Sequence, residues 1–127
     1  MEEKRRILVI VEDEVDVRWL IRMTLLDDPR LELVGEAASA EAALELAREN
    51  KPGLIILDHS IEGDVMGLQA APMLKNIVPE AKILLFTAFD LHAEAEAEPA
   101  VDAFLLKTNL ERLLPTVQSL LDLDPIS

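Results

Sequence analysis

Ile7-Leu8-Val9-Ile10-Val11-Glu12-Asp13 is five apolar residues, four of them β-branched, followed directly by two carboxylates. An unbroken apolar run of this length, rather than an alternating one, marks a strand buried on both faces. Leu54-Ile55-Ile56-Leu57 and Ile83-Leu84-Leu85-Phe86 repeat the form. Weaker candidates lie at Leu31 to Val34 and Val101 to Leu106.

Helical patterns separate these runs. Val17, Leu20, Ile21, Thr24 and Leu25 recur at helical spacing and define an expected core face. Ala40, Ala43, Leu44 and Ala47 follow Ser39, an N-cap candidate, and Asn50-Lys51-Pro52-Gly53 stops that helix. Pro72 is tolerated in a first turn only, so the third helix is expected to begin around Gln69 to Ala71. Ala93-Glu94-Ala95-Glu96-Ala97-Glu98 reads as a short solvated helix. Leu110, Leu113, Leu114, Val117 and Leu121 form a last stripe, with Thr108 and Glu111 spaced as a capping box; Pro115 either kinks this helix or marks its start. Five β/α units in a row predict a three-layer α/β sandwich, a parallel five-stranded sheet with helices on both faces. Residues 1–127 read as a single domain.

Composition narrows the function. With 25 acidic and 12 basic residues the formal charge is −13, which opposes direct nucleic-acid binding and association with anionic membranes. The chain has no Cys, so disulfides, thiolate metal sites and a cysteine nucleophile are excluded. No apolar run is long enough to insert in a membrane, and Met1 to Arg6 lead into too short a run for a signal peptide. A cytoplasmic location is expected.

In a doubly wound sheet, ligands bind beyond the carboxyl ends of the strands. Glu12 and Asp13 follow the first run, Asp58 the third strand, Thr87 the fourth and Lys107 the fifth. Three carboxylates brought to one edge repel each other unless a cation neutralises them, and oxygen ligands alone suit Mg²⁺. A hydroxyl and a lysine opposite suit a bound anion. The set reads as a phosphoryl-transfer site with one aspartate as acceptor. Each residue also has a plainer reading: Asp13 as a helix cap, Thr87 as a turn residue, Lys107 as a surface charge. The conjunction at four strand ends favours the site.

On these residues the chain resembles the receiver domain of two-component response regulators. Ile7 to Glu14 resembles the family's opening strand and acidic pair, Leu54 to Asp58 its phosphoacceptor strand, and Leu85 to Ala88 and Asp102 to Lys107 its fourth and fifth strands. The resemblance implies a flavodoxin-like, doubly wound fold and phosphorylation of Asp58. It implies Mg²⁺ held by Glu12, Asp13, Asp58 and the backbone carbonyl of Ser60. Lys107 would pair with a phosphoryl oxygen, Thr87 would turn inward to bond it, and Phe104 would follow as the aromatic switch. Ala88 leaves room for the incoming group. The implied donor is a histidine kinase or histidine phosphotransfer protein. Output would pass to a further protein by changed contacts, with homodimerisation as one form.

The chain departs from the family pattern in places. Glu62 stands where a proline is usual, and Gly67 falls one residue late, so the Ile61–Gly67 loop is longer. The segment from Thr87 to Lys107 is about two residues short and contains Pro99, so a short fourth helix is expected. Thr108 replaces the usual proline after Lys107; a cis bond before Thr costs about 3 kcal/mol, so a trans bond is expected unless packing forces a strained cis one.

Three functions fit. A phosphorylatable, non-enzymatic signalling switch retains every residue it needs. A Mg²⁺-dependent aspartyl-phosphate phosphohydrolase usually has a second aspartate two residues after the nucleophile, where this chain has Ser60. A receiver-like interaction module acting without phosphorylation would have lost the acceptor or acidic pair. No output segment follows the last helix in this sequence, which fits a stand-alone receiver or a piece of a longer protein. His59 could serve as a base beside Asp58, although adjacent strand-end side chains point apart. Phe89 could shield the phosphoryl group. Val15, Trp19, Met23 and Leu26, bordered by Arg18 and Arg22, form a second apolar stripe on the first helix. This stripe either docks the kinase's helical bundle or fills a seam against the last helix.

Overall fold

The computed structural model describes residues 5–125. Residues 1–4 of the segment weighed as a leader and the last two residues of the segment after the final helix lie outside them. Strands β1 (Arg5–Val11), β2 (Leu31–Ala37), β3 (Leu54–Leu57), β4 (Lys82–Thr87) and β5 (Ala103–Leu106) alternate with helices α1 (Val15–Leu25), α2 (Ala40–Asn50), α3 (Gly67–Ile77) and α4 (His92–Glu96). A 3₁₀ segment, Lys107–Arg112, then leads into α5 (Leu113–Leu120). All strand pairs are parallel, in the order β2-β1-β3-β4-β5.

β3 is buried along its full length because helices cover both sheet faces. Leu54 and Ile56 join Leu84 and Phe86 beneath Ile21 and Leu25 of α1 and Leu113 and Val117 of α5. Ile55 and Leu57 join Ile83 and Leu85 on the opposite face, under the alanines of α2 and α3 and Ala95 of α4. Each fully buried Leu or Ile side chain contributes roughly 1.5–3 kcal/mol, so two such layers are the main source of stability. Small residues on α2 and α3 let those helices lie close to the sheet.

Local signals set several ends. Ser39 Oγ accepts the Ala42 amide at 3.3 Å, and Lys51, left-handed at φ 47°, caps the other end of α2 before Pro52. The fourth helix is five residues long and solvated apart from Ala95. Pro115 is the third residue of α5, in its first turn, where its missing N–H costs least.

Other expectations need correction. α3 begins at Gly67, before the expected Gln69, and Pro72 lies inside it. Three bonds support the early start: Gln69 Oε1 accepts the Met66 amide at 3.0 Å, and the Gly67 and Leu68 amides find His59. Thr108 and Glu111 form no capping box, since both lie within the 3₁₀ segment, which has no side-chain cap. Leu20 is exposed, because Val17, Ile21 and Leu25 form the core stripe and Leu20 sits about 100° around the helix from its centre. β2 extends to Ala37, and β5 starts only at Ala103. Among the described residues no peptide bond is cis, so Lys107–Thr108 is trans.

Candidate functional site

The chain turns from one side of the sheet to the other between β1 and β3, and in register Val11 faces Leu57. The residues that follow these two strands therefore meet at the crevice where doubly wound sheets bind ligands. Glu12 is held by its own amide donating to the Ala37 carbonyl at 2.9 Å, and Asp58 by its amide donating to the Val11 carbonyl at 3.0 Å. Both side chains are buried. One oxygen from each of Glu12, Asp13 and Asp58 falls within 4.8 Å of the others. Asp13 does not cap α1; Glu14 holds that position, without a side-chain bond.

Lys107 reaches in from the end of β5. Its Nζ donates to Glu12 Oε1 at 2.5 Å and to Asp58 Oδ2 at 2.8 Å. Burial pushes the Glu12 carboxyl up to about 7, against the Lys107 and Glu14 hydrogen bonds that favour its charge; the Asp58 charge pushes it further up. Burial works against the Lys107 charge as well, but the bonds to Asp58 and Glu12 outweigh it and hold its pKa above the ordinary value. A single ammonium shared by two buried carboxylates leaves the pocket short of positive charge. Three carboxylates of this geometry, with oxygen as the only donor atom, fit a hard divalent cation such as Mg²⁺.

The other expected residues surround this centre. Thr87 ends β4, fully buried, and its Oγ1 accepts the Phe89 amide at 3.4 Å. Ser60 lies in the β3–α3 loop, where its amide donates to Asp58 Oδ1 at 3.4 Å. Phe104 is half-buried on β5 against the α2–α3–α4 layer, its ring tilted against that of His92 with centroids 5.9 Å apart. The longer Ile61–Gly67 loop is ordered by burial of Ile61, by the Glu62 amide on Ala38 O at 2.9 Å, and by Gly63 at φ 95°.

Two residues hold roles that local patterning does not reveal. His59 Nδ1 accepts the Leu68 amide at 3.2 Å, so that ring nitrogen is occupied as a helix cap. Asp102 Oδ2 accepts the Ile83 amide at 2.8 Å and Lys75 Nζ at 2.6 Å, tying the start of β5 to β4 and α3. The spacing of Asp102 ahead of an apolar run gave no hint of either partner, both distant in sequence. Trp19 is 52% exposed, with Val15, Met23 and Leu26 exposed beside it, so it does not fill a seam between α1 and α5.

A parallel doubly wound sheet with an acidic pair, an acceptor-like aspartate and a bridging lysine at its switch point defines an aspartate-centred α/β domain. The chain matches the family model described as the response regulator receiver domain over residues 8–118, and it belongs to that family. It is 35% identical over 103 residues to the response regulator protein VraR of Staphylococcus aureus (strain Mu3), a match covering 80% of this chain and 49% of VraR. It thus spans about half the length of that curated relative. The signal receiver domain of NarL from Mycobacterium tuberculosis superposes with a TM-score of 0.82 at 27% identity, covering 93% of this chain and 96% of that one. A LuxR-family DNA-binding response regulator from Staphylococcus aureus shares the fold, with a TM-score of 0.78 at 24% identity, covering 89% of this chain and 96% of that one. No helix among the described residues is long and apolar enough to cross a membrane.

Proposed function

We propose that this receiver domain accepts a phosphoryl group on Asp58 from a phosphohistidine of a kinase or phosphotransfer protein, and that it works as a cytoplasmic signalling switch rather than an enzyme. The carrying observation is the convergence of Glu12, Asp13, Asp58 and Lys107 at one crevice. An Asp58 oxygen attacks phosphorus; the O–P bond forms as the P–N bond to the donor histidine breaks, and that imidazole leaves with the bonding electrons. Glu12, Asp13, Asp58 and the Ser60 carbonyl would hold Mg²⁺, which when bound neutralises charge gathering on the transferring oxygens. Lys107 already touches Asp58, and it would follow the charge onto a phosphoryl oxygen. Thr87 would exchange its bond from the Phe89 amide for one to the phosphoryl group, and Phe104 would occupy the space it leaves.

The exposed stripe of Val15, Trp19, Met23 and Leu26 supports docking of the donor's helical bundle beside the crevice. Output passes to a further protein or to a second copy. The formal charge of −13 speaks against direct nucleic-acid binding by this chain's own surface. Ser60 at the place of a second aspartate speaks against phosphohydrolase turnover.

Acetyl phosphate with Mg²⁺, read by intact mass, tests the proposal. Addition of one phosphoryl group, absent in Asp58→Asn, is expected. Absence of labelling in the native chain would favour an interaction module that acts without phosphorylation.

A further inference from the structure

The first turn of α3 rests directly on the peptide joining Asp58 to His59. Gly67 N–H donates to the His59 carbonyl at 2.8 Å, and Leu68 N–H donates to His59 Nδ1 at 3.2 Å. A Cβ at Gly67 would lie 2.2 Å from the Asp58 carbonyl oxygen, so no larger residue permits this approach. These two amides are among those a helix start leaves without an intrahelical partner. One residue therefore meets two of the helix's needs while lying between Asp58 and Ser60. Its ring also presents an edge to Phe89, with centroids 6.4 Å apart, and Phe89 N–H reaches back to Thr87 Oγ1. His59 thus touches three parts of the crevice: the acceptor loop, the start of α3 and the loop behind Thr87.

We propose that His59 is a positioning residue for phosphoacceptance: by clasping α3 through its carbonyl and Nδ1, it fixes the backbone from Asp58 to Ser60 for the metal and the phosphoryl group. The clasp joins the two ends of the Ser60–Met66 stretch, whose middle is held separately by buried Ile61 and by the Glu62 amide on the Ala38 carbonyl. It also gives His59 a purpose other than proton transfer, since Nδ1 is engaged as an acceptor. This inference rests on the phosphoacceptor reading of Asp58. A plain cap would stabilise α3 and leave metal affinity alone; the clasp links the two.

The test compares native chain, His59→Leu and His59→Asn, whose Oδ1 can accept from the same amide. Mg²⁺ affinity, acetyl phosphate labelling and hydrogen exchange of the Leu68 amide are measured in each. Loss of one hydrogen bond predicts roughly five- to tenfold weaker Mg²⁺ binding and slower labelling in His59→Leu, with rescue to within about twofold in His59→Asn. The Leu68 amide should exchange faster in the Leu variant alone. Equal loss in both variants, or none in either, overturns the proposal. Should His59→Leu fail to fold, the native chain decides. Coupling is reciprocal, so Mg²⁺ with beryllofluoride, an acyl-phosphate mimic, must slow Leu68 exchange; an unchanged rate overturns the clasp. Failure of the native chain to take a phosphoryl group would instead remove the acceptor reading, while the Mg²⁺ titration and Leu68 exchange still judge the clasp.

Discussion

Lys107 Nζ and Glu12 Oε1 approach to 2.5 Å across 95 positions of sequence, and the same ammonium is 2.8 Å from Asp58. Without a metal ion this one charge holds two buried carboxylates together. Lys107→Ala should therefore lower metal-free stability by about 1–3 kcal/mol, a discounted figure because the lysine side chain keeps some contact with water. Mg²⁺ should restore more stability to the variant than to the native chain. Thermal denaturation with and without Mg²⁺ measures both effects; an equal response to Mg²⁺ would remove the neutralising role.

Trp19 is open to solvent on α1. Its fluorescence should be red-shifted and quenched by iodide. Trp19→Ala should slow phosphotransfer from a cognate phosphohistidine donor about tenfold or more, the size of a hot-spot loss. Labelling by acetyl phosphate should be unchanged. A parallel loss in both reactions would point to damage at the crevice rather than to docking.

Phe89 is half exposed and sits against the His59 ring at the mouth of the site. A bulky apolar group there hinders water from reaching an aspartyl phosphate. Phe89→Ala should shorten its lifetime severalfold, read as the decay of the phosphorylated mass after donor removal. An equal or longer lifetime would contradict shielding.

Asp28 is fully buried and holds Arg30 through two guanidinium bonds, 3.0 Å to Oδ1 and 2.8 Å to Oδ2, while Gln118 Nε2 donates to Oδ2 at 3.1 Å. The Arg30 bonds, against the cost of burial, lower its carboxyl to about 2. A folded pKa below the unfolded value contributes stability above the unfolded pKa, and that contribution is lost as pH falls through the folded one. Some 2 kcal/mol should thus be present above about pH 4 and disappear towards pH 2. Asp28→Asn should remove this part of the acid dependence in denaturant titrations, and should cost stability at neutral pH.

The apolar runs at Leu54 to Leu57 and Ile83 to Phe86 determined a sheet covered on both faces, because no half-exposed strand could carry four consecutive large apolar residues. The residues after each run then had to gather at one edge, since every strand is parallel; this made Glu12, Asp13, Asp58, Thr87 and Lys107 legible as a set. Ser39 was legible as a cap because its partner, Ala42, lies within one turn.

Only the tertiary structure decided matters whose partners are distant or whose exposure depends on how helices sit. α3 begins before Gln69 in spite of Pro72 because the loop returns Gly67 and Leu68 to His59. Leu20 and Trp19 share the apolar character of Ile21, yet α1 turns only the Val17–Ile21–Leu25 face to the sheet and leaves the other two in water. Asp102 meets Ile83 and Lys75, and Asp28 meets Gln118 across 90 positions, through contacts set by strand register and crossover. Periodicity is a local energy that each segment expresses alone. The choice among several apolar faces, or among distant hydrogen-bond partners, is made when the whole sheet closes and each buried polar group must find its complement.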